Sequence, residues 1–184
     1  DSHEHPDLDL TVSDILTESS NIGTIMVQQA LGRYEHHKYM TDFGLGERTA
    51  LDFPGESDGI LKEPDELWGS ERVTVSYGQG VSSTSLQLAA AVNVIANDGI
   101  YVAPKLVRAV VGPDGAQTSA PDAPSRRVVS EQAASQTAAM MQRVVCEGTA
   151  TRAQVDNLPI AGKTGTAFKA APHGTYYNEQ GQRI

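Results

Sequence analysis

The chain is short of cysteine, of aromatic residues and of positive charge, and each shortage excludes something. A single cysteine, Cys146, rules out an internal disulfide. Aromatic residues make up 5% of the 184 positions, so the core has to rest on Leu, Ile, Val, Ala and Met. Lysine and arginine number 14 against 23 acidic residues, for a net charge of −9. Nucleic acid demands a basic face, and so does an anionic lipid surface; both are poor partners for this chain. No apolar run reaches the ~20 residues of a membrane-spanning helix, and nothing at the start reads as a signal peptide. Any anchor or export segment is expected outside these residues.

What is present is globular: 39% hydrophobic and 20% charged, with length for one domain or a piece of a larger one. No internal repeat or low-complexity block is visible. Acidic residues gather in the opening DSHEHPDLD and between Asp52 and Glu71. They read as solvated surface.

Helix signals come early. Leu10 to Leu16 reads as a short helix, with Asp9 or Thr11 near its start. Asn21 to Leu31 reads as another: Ile22, Ile25, Met26 and Ala30 recur at helical spacing, and Gly32 stops it. Glu35 to Phe43 suggests a third, before a turn at Gly44 to Gly46. Residues 50–70, rich in Gly, Pro and acids, read as a long irregular excursion of the kind that is often functional. Thr84 and Gln87 fit a capping box at the head of a helix whose Leu88, Val92 and Ile95 form an apolar stripe. That helix ends near Asn97-Asp98-Gly99. Leu106 to Val111 reads as a β-branched strand, followed by a turn at Gly112-Pro113-Asp114-Gly115 and a loop over 120–124.

Ser130 caps a second long helix. Its buried face is predicted at Ala134, Ala138, Met141 and Val145, its stop at Gly148, with Cys146 as a partly buried structural thiol in the last turn. Leu158 to Ala167 looks like a strand with small residues at its centre. With helices first and strands late, the pattern implies an α+β fold, helices packed beside an antiparallel sheet.

Two short stretches could carry chemistry. In KTGT, Lys163 to Thr166, a strand would put Thr164 and Thr166 on one face beside a cation, a good seat for a carboxylate. Gly165 weakens a strand unless something approaches its backbone closely, as a peptide adding itself to the sheet edge would. At Ser19-Ser20-Asn21, a serine either caps the helix that follows or presents a reactive hydroxyl. Elsewhere the blander readings prevail: His3 and His5 in an exposed tail, His36 and His37 at the surface, and Trp68 packed against the body.

Ser-x-Asn followed by Lys-Thr-Gly is a pairing shared by β-lactamases and penicillin-binding proteins, where a Ser-x-x-Lys motif precedes them. With SSNIGTIM, FGLGERTALDFPGES, YGQGVSSTSLQL, IANDGIYVAPKLV, RRVVSEQAA and AGKTGTA in this order, the chain resembles class B penicillin-binding proteins, the septal cell-division type of actinobacteria. The resemblance covers most of the chain but only the later part of the family's transpeptidase domain. It implies a penicillin-binding/β-lactamase-like fold, a helical lobe against an antiparallel sheet with a cleft between them.

It further implies a peptidoglycan D,D-transpeptidase that cross-links stem peptides ending in D-Ala-D-Ala and is acylated by β-lactams, with no metal or organic cofactor. Ser19 and Lys163 would be catalytic. Asn21, Thr164, Gly165 and Thr166 would bind substrate or β-lactam, the Thr166 N–H giving one arm of an oxyanion hole. Tyr176 and Tyr177 would border the cleft. Division-complex proteins would be partners of the parent protein, acting at the outer face of the cytoplasmic membrane.

The sequence also departs from the family. No serine stands three residues before any of the five lysines, so the Ser-x-x-Lys motif is absent. Residues 1–184 are therefore expected to form part of a single transpeptidase domain, with the nucleophilic serine upstream and the closing strands and helix beyond. Alone, this stretch is expected to be inactive, and a severed sheet edge could pair with itself. Ser85 stands where the family often has proline, which keeps the cap but loses the preset φ. The competing readings are a D-alanyl-D-alanine carboxypeptidase, a β-lactamase, and a non-catalytic sensor or divisome-docking module of the same fold.

Overall fold

A computed structural model describes residues 8–51 and 53–165. Six α-helices are found among them: α1 (Val12–Glu18), α2 (Asn21–Leu31), α3 (Arg33–Asp42), α4 (Glu71–Thr74), α5 (Ser85–Ala96) and α6 (Glu131–Glu147). Four short strands, β1 (Ile100–Val102), β2 (Ala109–Val111), β3 (Gln117–Ser119) and β4 (Ser125–Arg127), lie between α5 and α6. β1 pairs antiparallel with β4, Tyr101 opposite Arg126. β2 and β3 form a hairpin around the Gly112–Gly115 turn, Val110 opposite Thr118. No helix among the described residues is long and apolar enough to cross a membrane.

The helices begin where their hydroxyl residues stand. Thr11 caps α1 and exchanges hydrogen bonds with Asp14 in a capping box. Ser20, Thr84 and Ser130 cap α2, α5 and α6 by accepting from the N–H of Gly23, Gln87 and Ala133. Such caps satisfy amides that the helix leaves unpaired, at about 1 kcal/mol each.

The core joins α5 to the β1–β4 pair through Ala90, Val94, Tyr101 and Ala103, with Phe43, Ala123 and Val128 packed against them. Arg126 lies 4.1 Å from the Tyr101 ring centre and donates to the carbonyls of Asp42 and Thr41, so one side chain closes the end of α3 and covers the core. Desolvation raises the Tyr101 pKa above the usual tyrosine value, and the Arg126 charge opposes the rise.

Several sequence expectations are corrected. The buried stripe of α5 runs through Gln87, Ala90 and Val94, while Leu88 and Val92 are exposed at 56% and 49%. The helix is rotated because Gln87, fully buried, finds a partner for every polar atom. Its Nε2 donates to the carbonyls of Glu47 and Asp58, and its Oε1 accepts from the Thr84 N–H. A satisfied amide can occupy the core where an unsatisfied one cannot. The outer face of α2 is likewise open, with Ile22 and Met26 exposed. Inward, Gly23 admits the Ile15 side chain so closely that a Cβ there would lie 2.6 Å from Ile15 Cγ1.

Trp68 is 70% exposed rather than packed, with the Arg72 guanidinium 5.7 Å from its ring. Cys146 is exposed, because α6 turns Val144 and Val145 inward instead. His36 and His37 are half-buried, not surface residues, and burial lowers the His36 pKa. The expected 106–111 strand shortens to β2. Among the described residues the strands lie between α5 and α6, and the expected strand from Leu158 to Ala167 reaches past residue 165, outside them. Residues 158–165 form no strand: a strand exists only with a partner ladder, and this backbone instead donates from the Gly162 N–H to the Met141 carbonyl of α6. The expectations for Thr166, Tyr176, Tyr177, His3 and His5 lie outside the described residues.

Candidate functional site

The junction of α1 and α2 separates the two serines by function. Ser20 is the helix cap and is buried. Ser19 takes no part in capping α2. It ends α1 in the left-handed conformation, φ 57° and ψ 41°. A non-glycine residue there is uncommon and costs of order 1–2 kcal/mol. Strain of this kind persists where surrounding structure imposes it and is concentrated at functional positions. The left-handed turn aims the Ser19 hydroxyl at the end of α6 and the segment beyond it.

Lys163 meets it there. Its Nζ donates to Ser19 Oγ at 2.5 Å, and also to the carbonyl and Oγ1 of Thr164 at 3.2 and 3.4 Å. The residue stays open to solvent on its outer side. Its ammonium is partly stripped of water, which pulls its pKa below the usual lysine value. Ser19 and Lys163, far apart along the chain, therefore share one hydrogen bond, and Thr164 stands beside them. Asn21 opens the first turn of α2, half-buried. Gly165 is exposed at the end of the described segment.

Sequence reasoning missed Thr149. Its Oγ1 lies 3.1 Å from Ser19 Oγ and 2.8 Å from Thr164 Oγ1, bridging the two halves of the site. Only the helix stop at Gly148 pointed toward it. The site is thus a chain of three hydroxyls, Ser19, Thr149 and Thr164, held beside an ammonium. Such an arrangement can stabilise an anion and can hand a proton from a hydroxyl to a leaving group.

Packing between α1 and α6 sets these distances. Arg143 of α6 donates to Ser13 Oγ and Asp14 Oδ1 of α1, and to Glu147 within its own helix. Hydrogen bonds from the Thr11 hydroxyl and backbone N–H, and then the Arg143 guanidinium, lower the Asp14 pKa. Gln154 Nε2 donates to the carbonyls of Val145 and Cys146, two acceptors that the end of α6 leaves free. Gly148 lies closest: a Cβ on it would sit 2.5 Å from the Thr17 carbonyl oxygen and 3.1 Å from Val144 Cα. Those neighbours are backbone and cannot swing aside. Gly148→Ala should therefore push α6 off α1 and destabilise the fold by about 1–3 kcal/mol. Urea unfolding checks the effect; an unchanged unfolding midpoint contradicts the close approach.

The model of the penicillin-binding protein transpeptidase domain matches residues 1–184, and the chain belongs to that family. It is 37% identical to penicillin-binding protein PbpB of Mycobacterium tuberculosis over 97% of its own length. It is 31% identical to the peptidoglycan D,D-transpeptidase FtsI of Escherichia coli over 93%. The fold matches the crystal structure of penicillin-binding protein 3 from M. tuberculosis complexed with ampicillin, at TM-score 0.91 and 37% identity. That match takes in 97% of this chain and 41% of the solved one. The chain spans 28% of the length of each of the two curated relatives. The fold class is the penicillin-binding transpeptidase fold, mixed helix and antiparallel strand, as the motifs imply.

Proposed function

We propose that the chain forms part of the transpeptidase domain of a peptidoglycan D,D-transpeptidase of the septal, cell-division type. The observation that carries this reading is the hydrogen bond from Lys163 to Ser19, which joins the Ser-x-Asn and Lys-Thr-Gly motifs at one point. In the parent polypeptide a serine of a Ser-x-x-Lys segment, outside these residues, attacks the penultimate D-alanine carbonyl of a stem peptide. The peptide C–N bond breaks, terminal D-alanine leaves once its nitrogen has gained a proton, and an acyl-enzyme remains. An amine of a neighbouring stem then takes the acyl group. Splitting the transfer through a covalent intermediate replaces one hard step by two easier ones.

Within this scheme Ser19 delivers the proton to the leaving nitrogen, and Asn21 holds a substrate amide. Lys163, with the Thr164, Gly165 and Thr166 segment, receives the terminal carboxylate or its counterpart in a β-lactam. Lys163 is suited to the task because partial loss of its water leaves a less solvated charge for the substrate to meet. The β-lactam complexes of the similar protein from M. tuberculosis, with aztreonam and with ampicillin, support reading β-lactams as ligands. The site faces outward from the cytoplasmic membrane, anchored by a segment elsewhere in the parent, and division-complex proteins are its partners.

Labelling with a fluorescent penicillin tests the reading. The complete polypeptide should give a covalent adduct that survives denaturation, and residues 1–184 alone should give none. An adduct on the isolated stretch would place the nucleophile within it. Absence of an adduct on the complete polypeptide would favour a non-catalytic member of the fold.

A further inference from the structure

We infer that Thr149 is a positioning residue for Ser19: its hydroxyl donates to Ser19 Oγ and thereby turns the hydrogen of Ser19 outward, away from both neighbours. The inference rests on the function proposed above and adds a residue to it.

A serine hydroxyl has one hydrogen and two acceptor sites. Lys163, an ammonium that can only donate, occupies one site of Ser19 at 2.5 Å. Thr149 Oγ1, at 3.1 Å, takes the second by donating, or else takes the hydrogen by accepting. In the first case the Ser19 hydrogen can point at neither neighbour and turns outward. In the second it is tied up inside the site and cannot serve a leaving group.

Thr164 favours the first orientation. Its Oγ1 lies 2.8 Å from Thr149 Oγ1 and 3.4 Å from Lys163 Nζ. Hydrogens can thus run from Lys163 to Thr164, from Thr164 to Thr149 and from Thr149 to Ser19; Thr164 and Thr149 each accept once and donate once, while Ser19 accepts from both Thr149 and Lys163. Hydrogen-bonded chains polarise along their length, and a cation at the head favours hydrogens pointing away from it. Thr149 is held in place for this work. It follows Gly148, whose N–H donates to Val144 of α6, and precedes Ala150, whose N–H donates to the same carbonyl.

The test compares two acyl donors on the complete polypeptide. A penicillin needs its ring nitrogen protonated as the C–N bond breaks. A thioester analogue of a stem peptide expels a thiolate, which needs no proton. Thr149→Val should lower the ratio of penicillin to thioester acylation rate constants by about tenfold or more, a fraction of what a positioned general acid contributes. Thr149→Ser, which keeps the hydroxyl, should restore the ratio to near that of the unaltered protein. Because both rates are measured on one sample, the folded fraction cancels. A ratio unchanged in Thr149→Val, whether the two rates fall together or hold, overturns the role of Thr149 alone. An unaltered polypeptide that neither donor acylates overturns the proposed function, and this inference with it.

Discussion

Replacing Ser19 by alanine in the complete polypeptide should slow acylation by penicillin by roughly 10²–10⁴-fold, the range typical of removing a positioned proton donor. The substitution removes the one oxygen that meets the Lys163 ammonium at 2.5 Å and Thr149 at 3.1 Å. It leaves the cap of α2 intact, since that belongs to Ser20. Folding should therefore survive, and a second variant shows it. Ser19 holds a φ of 57°, which glycine adopts freely and alanine does not. Ser19→Gly should consequently unfold at higher urea than Ser19→Ala, by about 1 kcal/mol, while both lose acylation to a similar extent. Acylation within twofold of the unaltered protein in both variants would remove Ser19 from the chemistry.

The largest effect on stability is expected at Gln87. Its side chain donates to two carbonyls of the 47–58 loop and accepts from the Thr84 N–H, with no exposure to solvent. Gln87→Leu matches the volume roughly and adds apolar surface. It also abandons three backbone groups in the interior, each costing about 1–3 kcal/mol when left unpaired. We expect a loss of at least about 3 kcal/mol, read as a lower urea midpoint with an unchanged slope. Gln87→Glu keeps the acceptor for Thr84 but sets a buried carboxyl oxygen against the carbonyls of Glu47 and Asp58, so it should lose at least as much as Gln87→Leu. A Gln87→Leu protein within 1 kcal/mol of the original would mean that water relieves the abandoned carbonyls.

Much of this was legible from residue order, and the exceptions have physical causes. Thr11, Ser20, Thr84 and Ser130 mark helix starts because a cap is local: hydroxyl and amide lie within three residues of each other. The bounds of α2 followed from Ser20 and Gly32 for the same reason. Which side of a helix is buried is not local. Leu88 and Val92 are apolar, yet the inward position goes to Gln87, whose partners at Glu47 and Asp58 lie far away in sequence. Residues 158–165 have the composition of a strand without a ladder to join among the described residues, and α6 takes up their Gly162 amide instead.

The two motifs were readable and their meeting was implied by resemblance alone; it is the fold that brings Ser19 and Lys163 to a shared hydrogen bond. Thr149 escaped notice because nothing in Gly-Thr-Ala-Thr distinguishes a site residue from a helix exit. Its position depends on how closely Gly148 approaches Thr17, a distance that no pattern of residues encodes.

The corner between α1 and α2 has no slack. One helix ends at Glu18, the next begins at Asn21, and both intervening serines are committed. Inserting a single residue there would turn the second helix by about 100° relative to the first, detaching the asparagine from the hydroxyl it accompanies. Length variation in relatives, and any engineered change of loop length, should thus fall in stretches such as 50–70 and leave this two-residue hinge untouched. The spacing inside the motif is a mechanical requirement before it is a chemical one.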